Sequence, residues 1–157
     1  MEESILVLAK SRPTLQALSQ LAPKLNAATD LYMNELKEIE AALDKLKLGI
    51  AVENNRWLHT GNTRTEWDEG GEPTGDFFAA WSLGYGKDHR GKWCLLVREY
   101  KVNAETEEDV ERDVSPLLES SRDLRIAAAE QIPDLLKAIE QEVKKKIEIL
   151  GKVSDKR

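Results

Sequence analysis

The sequence predicts an α+β fold: a long N-terminal helix, a four-stranded antiparallel sheet built from two hairpins, and a long, proline-interrupted C-terminal helix. Two observations carry this. Apolar residues recur at helical spacing over 11–48 and 114–151, and between those segments the pattern changes to alternation. The central stretch also holds every tryptophan (Trp57, Trp67, Trp81 and Trp93) together with Phe77, Phe78, Tyr85 and Tyr100, and aromatic side chains favour strands.

In the first helical segment, Leu15, Ala22, Thr29, Leu36, Leu43 and Ile50 occupy one heptad position, and Leu18, Leu25, Tyr32, Ile39 and Leu46 the other. That spacing places them on one stripe of a helix. Ser11 before Arg12-Pro13 reads as a cap, Pro23 predicts a kink or a fresh helix start, and Gly49 predicts the stop. Residues 1–10 suit a strand, an extension of the helix or a loose segment.

Residues 49–102 are expected to form the sheet. Leu48, Ile50 and Val52 alternate into Asn54-Asn55, and Trp57 and His59 alternate away from it. Asn tolerates positive φ, so this reads as a two-residue hairpin turn that sets Glu53 against Arg56 and Val52 against Trp57. Residues 61–76 read as an exposed acidic loop. Phe77–Tyr85 and Lys92–Val102 are expected to pair around Lys87-Asp88-His89-Arg90. Both strands carry apolar residues on both faces, which predicts that both sides are covered. Residues 103–113 are strongly acidic and read as a linker. Ser115-Pro116 then reads as the cap and first residue of the second helix, Pro133 as a break in it, and Gly151 as its end.

With 157 residues, 41% hydrophobic and 33% charged, the chain suits a single domain with its own core. A net charge of −6 disfavours a general nucleic-acid binder. The basic run Lys144-Lys145-Lys146 is diluted by Glu140, Glu142 and Glu148. Cys94 is the single cysteine; with Trp93, Leu95 and Leu96 around it, it reads as a small buried hydrophobe in a reducing cytoplasm. Met1-Glu2-Glu3 is acidic where a signal peptide would be basic, and Ile5–Ala9 is too short to span a bilayer. No export signal, membrane segment or cofactor is expected.

Several apparent motifs dissolve on inspection. Gly86–Lys92 matches G-x-x-x-x-G-K, but Trp93 follows where a phosphate-binding loop needs Ser or Thr, and Cys94–Val97 reads as strand where it needs a helix. The acids Asp68, Glu69, Glu72 and Asp76 fail the calcium-loop spacing, with Pro73 in the place of the turn glycine and Ala79 in that of the bidentate glutamate. His59, His89 and Cys94 have no zinc-site spacing, so no metal is expected. No G-x-S-x-G elbow is present, and the carboxylates, Glu99 and Asp76 among them, do not define a catalytic pair.

One constellation remains. Trp57, Trp81, Tyr85, Lys92, Trp93, Arg98 and Tyr100, with Arg64 and Arg90 nearby, combine flat aromatic faces with cations. Such a set suits a nucleotide-like small molecule, or it is simply core with an arginine at its rim. Two functional readings follow. The first is a non-enzymatic cytoplasmic interaction protein that binds a protein partner, or another copy of itself, through an acidic surface or a helical face, as inhibitors, immunity factors and secretion chaperones do. The second is a small-ligand binder that sequesters or senses a nucleotide in a pocket on the aromatic sheet.

Overall fold

The computed structural model describes residues 2–156. It is α+β as the sequence predicts, with two long helices and one antiparallel sheet, here of five strands. The elements are α1 (Glu2–Leu46), β1 (Val52–Thr60), β2 (Arg64–Trp67), β3 (Pro73–Lys87), β4 (Trp93–Asn103), β5 (Asp109–Pro116) and α2 (Arg122–Asp155), with a short 3-10 turn at Leu117–Glu119. The chain divides into two compact units, Met1–Glu38 and Ile39–Arg157.

In the first unit the helix starts earlier than its cap signal suggests. Ser11 does not cap; its hydroxyl donates to the carbonyl of Val7 at 2.7 Å from inside the helix. Pro13 and Pro23 both lie within α1 without ending it. Each removes one intrahelical hydrogen bond, but in this exposed stretch water can reach the carbonyls so released. The apolar stripe has two fates. Leu15, Leu18 and Leu25 are 51%, 53% and 48% exposed, whereas Thr29 and Leu36 are 7% and 0% exposed. Thr29 tolerates burial because its hydroxyl donates to the carbonyl of Leu25 at 2.8 Å.

In the second unit the strands run in the order β1-β3-β4-β5, and β2 pairs with the outer end of β3. The expected turn at Asn54-Asn55 does not form. β1 runs through both residues and pairs with β3, Val52 against Tyr85 and Trp57 against Ser82, with an irregularity between Glu53 and Trp57. The reason lies on α2. Asn54 donates to the carbonyl and the side-chain oxygen of Gln131, each at 3.3 Å, and the Gln131 amide donates to the carbonyl of Trp57 at 3.0 Å. The asparagine thus serves as a bulge clamped to a helix.

The loop expected at 61–76 contains β2 and the start of β3, and the linker expected at 103–113 contains most of β5. Both are edge segments, where charged side chains protect against unwanted pairing while leaving the backbone free to join a sheet. The two tight turns share one design. Asp68 accepts from the amides of Gly70 and Glu72, each at 2.9 Å, and Asp88 accepts from those of Arg90 and Lys92 at 2.8 and 3.0 Å. Gly71 and Gly91 hold the matching positive φ of 81° and 79°. The phosphate-loop look-alike is therefore a hairpin turn.

Pro116 ends β5 rather than opening a helix, and Ser121 caps α2 by accepting from the amide of Leu124. Pro133 and Gly151 both lie inside α2. Its buried side chains, Ala128, Gln131, Ile132, Leu135 and Ile139, recur at three- and four-residue intervals and face β1 and β3. On the side of the sheet opposite α2, Ala80 of β3 pairs with Tyr100, Ser82 pairs with Arg98 and Trp57, and the Arg98 guanidinium lies over Gly84 and Gly86.

Candidate functional site

Register decides which candidates can meet. In an antiparallel sheet, directly paired residues point to the same side. Trp81 pairs with Glu99 and with His59, Ala79 with Lys101, and Phe77 with Asn103 and Arg64. All of these share the side that α2 covers. Arg98 pairs with Ser82, and Tyr100 with Ala80, so both point to the other side, as does Trp57 through the irregularity in β1.

The seven residues singled out from sequence therefore occupy separate places. Trp57, Arg98 and Tyr100 come together opposite α2. The Trp57 and Tyr100 rings are 5.3 Å apart between centroids. The Tyr100 hydroxyl donates to the Glu53 carboxylate at 2.8 Å, and Arg98 pairs with the same carboxylate at 3.2 Å and reaches Glu111 at 4.0 Å. Burial first, then the hydrogen bond and charge of Glu53, raises the Tyr100 phenol well above its ordinary value. Beneath the guanidinium lies Gly84. A Cβ there would come within 2.8 Å of Arg98 Nη1 and 2.9 Å of the Val52 carbonyl. The Arg98 guanidinium is thus engaged by two carboxylates of this chain, both partly open to solvent.

Tyr85 and Trp93 meet on the α2 side at one end of the sheet, 5.6 Å between ring centroids, with Lys87 over the Trp93 ring. Lys92 stands in the Asp88–Lys92 turn, and Arg90 pairs there with Asp88 and with Glu119. Cys94 is buried, and burial followed by the nearby Glu40 charge pushes its thiol up to about 11. It has no activating cation stronger than these opposing effects.

Trp81 points to the other side of the sheet from Trp57 and Arg98. It packs against His59 at 5.4 Å between ring centroids. Beyond it, at the end of the sheet near β2, is a hollow of about 380 Å3 lined by Gly61, Arg64, Phe77, Trp81, Lys101 and Arg112 among others. Of the other six, only Tyr100 lines the same hollow. Lys101 lies 4.1 Å from the Phe77 ring centroid and is ion-paired with Glu66. Arg64 and Arg112 make no ion pair or side-chain hydrogen bond among the described residues. Sequence reading missed Lys101 and Arg112. Lys101 was accessible to it through the parity of the β3–β4 hairpin; Arg112 was hidden because its segment does not resemble a strand.

Among the described residues no three His, Cys, Asp or Glu side chains converge as metal ligands. No helix among them is long and apolar enough to cross a membrane. No protein-family model matches the chain, and comparison with curated proteins and with solved structures gave no match.

Proposed function

We propose that this is a non-enzymatic interaction protein whose contact surface is the apolar face of the N-terminal part of α1, and that the partner supplies a helix with a matching stripe. The observation that carries the reading is the exposure of Leu8, Leu15, Leu18, Leu21 and Leu25, all between 48% and 55%. A run of this kind along one stripe exceeds the scattered apolar exposure of an ordinary surface. Helix-to-helix docking is the usual way such a stripe is covered. Its flanks are lightly charged, with Thr14, Ser19 and Asn26 beside the leucines, so apolar packing rather than ion pairing supplies the attraction.

Native mass spectrometry of the chain isolated gently from its cells tests this against a Leu18→Glu/Leu25→Glu variant. The wild type is expected to carry a second polypeptide, another copy or a different protein, and the variant to have lost it. A wild type free of any second polypeptide, or a variant that retains it, would contradict the proposal. Extra mass of a few hundred daltons, common to both, would instead mark a small ligand.

A further inference from the structure

We propose that the hollow between Arg64, Lys101 and Arg112 is a binding site for a small organic anion with a flat apolar body, an aromatic carboxylate or phosphate. This is independent of what α1 binds. The size is suited to such a molecule: about 380 Å3 lies within the range of small-ligand sites.

The charge is unusual for this chain. With 29 acidic against 23 basic residues, carboxylates are plentiful, and Arg56, Arg90 and Arg98 each have an acidic partner. Arg64 and Arg112 line one hollow, and neither has such a partner among the described residues. The one carboxylate lining it, Glu66, pairs with Lys101, so the hollow keeps a positive surplus. A guanidinium offers a planar fork that matches a carboxylate or phosphate. Two of them beside low-dielectric aromatic walls concentrate the field on an incoming anion.

The walls suit a flat body. Trp81 is half-buried, braced by His59, and Phe77 is held from one side by Lys101. Both rings belong to β3, where every residue from Phe77 to Lys87 is paired with β4, so the platform is rigid before a ligand arrives and little ordering cost opposes binding. The opposite face shows what the same residue types do when a carboxylate is present: Glu53 occupies the position between Arg98 and Tyr100 that a ligand anion would take here.

The four tryptophan indole N–H resonances, assigned by single Trp→Phe variants, report the test, with 1-naphthyl phosphate, 1-naphthoate and neutral 1-naphthol as probes. The Trp81 resonance is expected to shift saturably with one or both anions. Trp93, beside Tyr85 at the other end of the sheet, should stay in place. The alcohol should bind about tenfold more weakly or worse, and Arg64→Ala/Arg112→Ala should lose about tenfold or more in affinity for the anion, as loss of charge-assisted hydrogen bonds implies. Preference between the two anions then identifies the headgroup. An unmoved Trp81 with both anions, an equal response to the alcohol, or undiminished binding in the double variant would overturn the proposal. Should the pair of substitutions impair folding, Arg64→Gln and Arg112→Gln taken singly read the same effect.

Discussion

The two helices carry apolar stripes of the same spacing, yet they end differently. On α2, Ala128, Ile132, Leu135 and Ile139 are at most 5% exposed, and their stripe lies against β1 and β3. On α1, Leu15, Leu18 and Leu25 are about half exposed at 51%, 53% and 48%. The contrast teaches that periodicity fixes a helix and its apolar side but not what covers that side. α2 repeats the lesson within itself, since Ile147, Leu150 and Val153 beyond the sheet are 64%, 66% and 51% exposed. A covered stripe contributes to folding; an open one is available for binding.

The largest difference should appear on truncating one leucine from each stripe. Leu135→Ala removes a fully buried side chain and is expected to cost about 3 kcal/mol. Leu18→Ala should stay within about 0.5 kcal/mol, since its side chain already meets solvent and Ala is a good helix former. Urea denaturation of both variants checks this, and equal losses would erase the distinction. Next in size, Gln131→Ala removes the side-chain part of the clamp between α2 and β1, leaving the Trp57 carbonyl without its donor. A loss of about 1–2 kcal/mol is expected, with faster hydrogen exchange around Asn54; unchanged stability would mean that the clamp merely accompanies the bulge.

The smallest effect concerns the point where the α1 stripe closes. Burial, aided by the Glu35 charge, pushes the Tyr32 phenol up to about 12 from an ordinary 10. A folded value above the unfolded one means that Tyr32 contributes stability that is complete below pH 10 and lost as pH rises through 12. Tyr32→Phe should therefore flatten part of the decline in stability across that window and delay the rise of tyrosinate absorbance. An identical decline in both proteins would place the Tyr32 hydroxyl in solvent.

How much of this was legible in the sequence depended on how local the signals were. The β3–β4 hairpin follows from alternation and from the turn at Asp88–Gly91, and so does its parity: with Trp81 opposite Glu99, odd-numbered residues share one side, which separates Trp81 from Arg98 and Tyr100. β5 stayed hidden because its acidic residues look like a solvated linker until β4 provides a partner. Asn54-Asn55 misled for the opposite reason. Its turn chemistry is genuine, but a glutamine 77 residues away from Asn54 outweighs it. The α1 seam was fully visible, whereas its division into an open and a buried part depends on contacts that periodicity does not encode.

Photo-crosslinking in the native cell reads the contact face of α1 itself, with a benzophenone side chain at Leu18 on the open stripe or at Gln20 on the opposite face of the same helix. A discrete crosslinked protein band is expected from position 18 and none from position 20, with the linked residues lying on a helix of the partner. Crosslinking that is absent at position 18, or equal at both, would contradict α1 as the binding face.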